Sequence, residues 1–317
     1  MEKHNYDLGA VFNVAELQGQ TIEGYKEATT FVPDDEPGYQ FSLELLCDLM
    51  VWYQGLSNDG LYLFGPTGCG KSSAITVFCA RLNIPLYEKT MYDGLEFEGL
   101  LGRTSILEGD TQFNYGPLPS AMGVTGQPGI FLINEIDQAN EGVVTGLYEV
   151  LEGRPLTLDA EGIDVVKSLS GFRVAATGNT NMLGDQSFNY NGAIKQNLAF
   201  LDRFMKINIG YPDAAIEIGL LAACAPNLSD ELRERMVKAA TSIRELFLSD
   251  DETAIDITMS TRGLLRWAKL CELYKFVSQL GKAPHMYALD RTLLFAATPP
   301  VKEAIINIVN LELGEVE

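Results

Sequence analysis

The chain has 317 residues and carries 23 Lys and Arg against 43 Asp and Glu, a formal net charge of −20. A surface this acidic works against any role in which the whole molecule grips nucleic acid or an anionic membrane, because both demand a basic face. With 46% hydrophobic and 21% charged residues it reads as a folded chain, and no apolar run approaches the ~20 residues needed to span a bilayer.

The length suits one large domain with a smaller one. The N-terminal MEKHNYDLGAVFNV has no apolar stretch behind a basic start, so no secretory signal is expected and the cytoplasm is the expected compartment. Residues 1–40 are polar and turn-rich and end in FVPDDEPGYQF, an ordered arm or linker, with His4 expected in a mobile terminus. From Ser42, apolar residues at Leu43, Leu46, Leu49 and Met50 have the spacing of an amphipathic helix. Short apolar runs then alternate with helical stretches: LYLF at 61–64, IPLYE at 84–88, GIFLIN at 129–134, FRVAAT at 172–177 and MKINI at 205–209. Such runs are the pattern of buried parallel strands, so residues 41–211 are expected to form an α/β domain. Residues 212–317 are expected to be all helical. Ser229 is placed to cap a helix with Leu232, Met236, Ala239, Ile243 and Leu246 on one face. A second helix is expected from near Arg262 to Gly281, and a third after Pro299-Pro300. The five cysteines are scattered without a Cys-x-x-Cys pair and there are two histidines; buried apolar thiols explain them better than a zinc site.

The strongest signal is Gly65-Pro66-Thr67-Gly68-Cys69-Gly70-Lys71-Ser72, a G-x-x-x-x-G-K-[ST] loop directly after one apolar strand and before a helix. Its glycines let backbone N–H groups turn inward around a phosphate, and the helix adds its positive end. Lys71 reaches the β and γ phosphates, and Ser72 is a Mg²⁺ ligand. Ser73 beside them joins the candidate nucleotide-binding set. An acidic protein can hold a polyanion here because the site uses dipoles and one lysine.

Such a loop needs an acid-tipped strand nearby, and IFLINEIDQAN at 130–140 supplies one. Glu135 is placed to polarise an attacking water. The preceding position, usually an Asp that holds the Mg²⁺ water shell, is Asn134, which keeps the oxygen and loses the charge. Asp137, two residues past Glu135, adds negative field. Asn179 follows the strand FRVAAT, where its amide can sense a γ-phosphate or orient water. Arg203 precedes the last strand, at the place of an arginine finger. Arg262, in MSTRGLLRW, is placed to touch phosphates from a helical lid. A lone arginine is ordinarily a surface ion pair, but these residues in this order after a phosphate loop form a set.

Together GPTGCGKS, LINEID, ATGNTN, LDRF and STRG resemble the AAA+ ATPases over residues 41–317, and within them the MoxR branch that includes the ATPase subunit of aerobic cobaltochelatase. LLGRTSILEGDTQFNYGPLPSAM at 100–122 resembles the hairpin insertion in helix 2 of that branch, and LYEVLEGRPLTL at 147–158 the helix and strand after the acidic strand. The arm at 12–41, Asp137 and the segment 179–204 point to the cobaltochelatase-like subgroup. The resemblance implies a P-loop core with a parallel five-stranded sheet of order 5-1-4-3-2, a helical lid, ATP and Mg²⁺ as cofactors, a homo-oligomeric ring, expected to be a hexamer, and ATP-driven remodelling of a partner. The partner it implies is a von Willebrand A-domain protein or a chelatase-like complex. Asn134 and Thr180, the latter in place of a common proline, depart from the pattern. Asn134 leaves open a nucleotide-gated binding scaffold with weak hydrolysis; the charge disfavours a nucleic-acid motor.

Overall fold

The structure, a computed structural model, describes residues 2–314 except 37, 56–58, 108–109, 161–162, 183–193 and 250–254. Most of the GDQSFNYNGAIK stretch that supported the subgroup resemblance therefore lies outside the described residues. Contacts divide the chain into two compact units: Met1–Gly65 with Lys71–Ile209, and Pro66–Gly70 with Gly210–Glu317.

The first unit opens with strand β1 (Lys3–Asp7), helix α1 (Leu8–Phe12) and strand β2 (Thr21–Tyr25), β1 and β2 forming an antiparallel pair from Lys3↔Tyr25 to Asp7↔Thr21. Asp7 ties α1 to the turn before β2: one carboxylate oxygen accepts from Ala10 N at 2.8 Å and the other from Gly19 N at 2.7 Å. Those backbone donors hold its carboxyl below the usual range. His4, expected in a mobile terminus, sits in β1 opposite Gly24, with Tyr6 edge-on at 4.6 Å. The polar composition concealed four apolar residues, Leu8, Phe12, Leu17 and Ile22, that are buried in the same cluster as Phe78. Close approach completes the seating. A Cβ on Gly24 would lie 2.3 Å from Leu82 O, the carbonyl to which Tyr25 N donates at 3.0 Å.

Next come α2 (Leu43–Met50), capped by Ser42 Oγ, β3 (Gly60–Phe64), α3 (Lys71–Arg81), β4 (Leu86–Thr90) and α4 (Glu98–Leu101). The expected insertion is an antiparallel hairpin of β5 (Gly102–Leu107) and β6 (Asp110–Tyr115), followed by α5 (Pro117–Ala121). The unit continues through β7 (Ile130–Asn134), α6 (Glu141–Leu151), a second hairpin of β8 (Leu156–Ala160) and β9 (Ile163–Val166), then β10 (Arg173–Gly178), α7 (Leu198–Leu201) and β11 (Phe204–Asn208). Five strands form one parallel sheet in the order β11-β3-β10-β7-β4. In terms of the five apolar runs this is 5-1-4-3-2, the expected order. Alternate residues enter opposite cores: Leu61 and Leu63 pack on the α2–α3 side, Tyr62 on the α5–α6 side. Burial on both faces is why these strands read as continuous apolar runs.

In the second unit, α8 (Ala214–Cys224), α9 (Asp230–Leu248), α10 (Thr261–Leu273), α11 (Pro284–Thr292) and α12 (Pro299–Leu313) enclose Trp267, Ile243, Leu264, Leu289 and Ile305. Ser229 caps α9, accepting from Leu232 N at 3.3 Å. The helix expected to run to Gly281 ends at Leu273, and Tyr274–Leu280 tightens into a 3-10 helix closed by Gly281 at φ 69°. Within that stretch Val277 is the one buried residue, so no apolar stripe holds α-helical geometry there. No helix among the described residues is long and apolar enough to cross a membrane.

Candidate active site

The site forms where the parallel strands end. β3 stops at Phe64 and α3 starts at Lys71, and the loop between them has positive φ at Gly65 (149°), Gly68 (67°) and Gly70 (98°). A side chain at these positions would be strained, so the loop needs its glycines to turn backbone amides inward.

Lys71, 7% exposed, extends its ammonium back across this turn, donating to Gly65 O at 2.9 Å and to Asn179 Oδ1 at 3.0 Å. Asn179 Nδ2 in turn donates to Glu135 Oε2 at 2.7 Å. A lysine can only donate and a carboxylate can only accept, so the amide's orientation is determined by its neighbours. Three residues, from the start of α3 and the ends of β7 and β10, thus form one hydrogen-bonded chain. Burial, and secondarily Asp137, push the Glu135 carboxyl above its ordinary range, with Lys71 opposing them. Glu135 also holds a left-handed backbone (φ 56°, ψ 44°), a conformation a non-glycine residue keeps when its surroundings over-determine it.

Asp137 lies two residues further on. It is 1% exposed, and its Oδ2 accepts from Asn179 N at 2.9 Å, Thr180 N at 3.2 Å and Thr180 Oγ1 at 3.2 Å. The Tyr62 hydroxyl donates to Thr180 O, and burial raises its pKa so that it stays a donor. Through these bonds the Asp137 carboxylate also clamps the backbone that carries Asn179.

Asn134 Oδ1 accepts from Ser72 Oγ at 2.7 Å and from Thr177 Oγ1 at 3.1 Å, while its Nδ2 donates to Glu88 Oε2 at 3.1 Å. Ser72, Asn134 and Glu88 thus present an oxygen donor set at the first turn of α3. That chemistry fits Mg²⁺, a hard cation that keeps much of its water and binds few protein oxygens.

The other candidates lie elsewhere. Ser73 Oγ donates to Glu36 at 3.1 Å, and Arg81 reaches Asp35 at 3.2 Å and Tyr39 O at 3.1 Å, so the acidic run of the arm lies along α3. Arg203 pairs with Glu152, donates to Ala199 O and stacks over Tyr148 at 4.4 Å. In the second unit Thr67 O accepts from Tyr211 Oη at 3.2 Å, Cys69 is buried, and a Cβ on Gly68 would lie 2.7 Å from Ser260 Cβ and 3.7 Å from Arg262 Cβ. That segment is anchored by a buried ion pair: Glu217 accepts from Arg244 at 2.7 and 2.8 Å and from Thr261 Oγ1 at 2.7 Å, and Arg244 Nε donates to Met259 O at 2.7 Å. The structure therefore joins Lys71, Ser72, Asn134, Glu135 and Asn179, and places Arg262 beside Gly68. Sequence reasoning passed over Glu88 and Thr177; their signal was position alone, on strands flanking β7 in the sheet.

Residues 60–204 match the AAA domain (dynein-related subfamily), and residues 217–311 match the CbbQ/NirQ/NorQ C-terminal domain. The chain is similar to the aerobic cobaltochelatase subunit CobS of Sinorhizobium sp, 29% identical over 80% of this chain and 76% of that protein. It is 27% identical to protein NorQ of Paracoccus denitrificans, over 70% and 77% of the two chains, and 27% identical to the denitrification regulatory protein NirQ of Stutzerimonas stutzeri, over 76% and 82%. Among solved structures, a RuvB mutant of Thermotoga maritima aligns with a TM-score of 0.50 at 13% identity, over 83% of this chain and 73% of that one, a likeness of fold. With its 5-1-4-3-2 sheet and phosphate loop, the chain carries an AAA domain followed by a CbbQ/NirQ/NorQ C-terminal domain and is similar to the MoxR-type AAA+ ATPases CobS, NorQ and NirQ.

Proposed function

We propose that this protein binds ATP with Mg²⁺ and hydrolyses it as a ring-forming, homo-oligomeric motor, a hexamer in our reading, that remodels a partner protein complex. The observation that carries the proposal is the hydrogen-bonded chain Lys71–Asn179–Glu135. It puts a buried cation, an orienting amide and a carboxylate with raised proton affinity at the mouth of a phosphate loop. Bound with ATP, Mg²⁺ would neutralise phosphate charge, with Ser72 and Asn134 as the residues that hold it. Lys71 and the inward amides of Gly65–Gly70 bind and orient phosphate oxygens. Glu135, in its ionised form, takes a proton from water held by Asn179. Arg262, beside Gly68 of the phosphate loop, contributes a further cation, and Arg203 serves a neighbouring subunit once released from Glu152.

As for the partner, CobS is by name a subunit of a cobaltochelatase, and NirQ is by name a denitrification regulator. We place this chain by analogy in assemblies of that kind, with a von Willebrand A-domain protein or a chelatase-like complex as partner. In this reading any insertion of metal into a substrate falls to the partner. Steady-state phosphate release tests the motor. Wild type is expected to exceed Lys71→Ala and Glu135→Gln by at least about a hundredfold, and equal rates would overturn it. Asn134 favours one alternative, a nucleotide-gated scaffold, which would give tight ATP binding and ring assembly with equal phosphate release in all three proteins.

A further inference from the structure

Asn134 removes a negative charge from the position that faces Ser72, and the structure points to where the charge has gone. β4 and β7 pair in parallel with Glu88 opposite Leu132 and Thr90 opposite Asn134. Positions two apart on a strand share a face, so Glu88 and Asn134 are diagonal same-face neighbours, within reach of a glutamate side chain. The contact is made: Asn134 Nδ2 donates to Glu88 Oε2 at 3.1 Å. Glu88 can only accept here, which turns the amide oxygen toward Ser72 and Thr177, both of which donate to it. An aspartate at 134 would set two carboxylates against each other across this gap, whereas an asparagine bridges Glu88 to Ser72. The pair reads as one device in which the oxygen stays on β7 and the charge moves to β4.

We propose that Glu88 is the anionic residue of the Mg²⁺ site, acting on the hydrated cation from the neighbouring strand and orienting Asn134 as its positioning residue. Glu88 is exposed at the strand surface, which suits an outer-sphere partner that meets metal-bound water and not the metal itself. The inference rests on the nucleotide-binding reading.

The test uses the full-length protein and a fluorescent ATP analogue, with affinity measured across a Mg²⁺ titration and again in EDTA. Outer-shell partners of a metal site typically contribute 10- to 100-fold in metal affinity. Glu88→Gln is therefore expected to raise the Mg²⁺ concentration needed for half-maximal tightening by about tenfold, with affinity in EDTA unchanged. Asn134→Asp alone places two carboxylates together and is expected to shift the titration as well. The double variant E88Q/N134D, which returns the charge to β7, is expected to restore the wild-type Mg²⁺ midpoint. An unchanged midpoint in E88Q, or a double variant no better than E88Q, overturns the proposal while leaving nucleotide binding standing. Absence of any analogue binding by wild type, with or without Mg²⁺, overturns both readings.

Discussion

The buried pair Glu217–Arg244 offers the sharpest energetic test. Glu217 is 1% and Arg244 6% exposed, and the two make a bidentate contact at 2.7 and 2.8 Å. Arg244 also holds Met259 O and stacks over Tyr211 at 4.1 Å, while Thr261 donates to Glu217. Glu217→Ala leaves the guanidinium buried without its counter-charge and Thr261 without its acceptor. Breaking a buried pair from one side costs about 3–5 kcal/mol. At ~1.4 kcal/mol per decade, local opening of the helical unit should become more frequent by two to three and a half decades. Hydrogen exchange followed by mass spectrometry reads this directly in peptides from α8, α9 and the start of α10, with peptides from the β-sheet unit as internal control. Glu217→Met with Arg244→Met removes both charges. Its cost is expected to fall below the sum of the two single variants, because a hydrophobic replacement spares the desolvation penalty. A single variant exchanging within about threefold of wild type, or strictly additive costs, would refute the claim that this pair anchors the segment carrying Arg262.

Asp137→Ala removes the carboxylate that accepts from Asn179 N, Thr180 N and Thr180 Oγ1. A loss of about 3 kcal/mol in thermal or denaturant stability is expected, with a larger fall in kcat than in ATP affinity; unchanged stability counts against the clamp. Glu135 binds its proton more tightly folded than unfolded, so its ionised form costs stability above its folded pKa and the cost fades as pH falls below the unfolded value. Glu135→Gln should accordingly melt higher than wild type at about pH 8, the difference closing toward about pH 4, and a wider difference in acid would reverse the sign of the argument. The acid limb of wild-type turnover is expected above the ordinary carboxylate value of 4.5. Arg203→Ala should bind ATP normally yet turn over poorly, and mixing it with Lys71→Ala should recover activity if subunits share sites. Full turnover by Arg203→Ala would confine that arginine to its ion pair with Glu152.

Much of this protein was legible as local chemistry. Apolar runs bounded by turns located five strands because burial on both faces demands unbroken hydrophobicity, and the glycine spacing of 65–70 located the phosphate loop because the backbone there requires positive φ. Lys71, Ser72, Glu135 and Asn179 could each be assigned from their place after a strand. What a sequence cannot carry is which strand ends converge. The order β11-β3-β10-β7-β4 sets β3, β10 and β7 side by side, and that adjacency lets Lys71 reach Asn179 and Asn179 reach Glu135. The same adjacency of β7 to β4 brings Glu88 to Asn134, residues far apart in the chain. The packing of the arm was hidden for a related reason: Leu8 and Phe12 of α1, Leu17, and Ile22 of β2 form no stripe in the sequence and meet in one cluster with Phe78 of α3 only in the fold. Periodicity and turn chemistry are short-range, so the sequence by itself determined the elements and the phosphate loop; sheet order and long-range packing decided the partners of Asn134, Asp137 and Arg203.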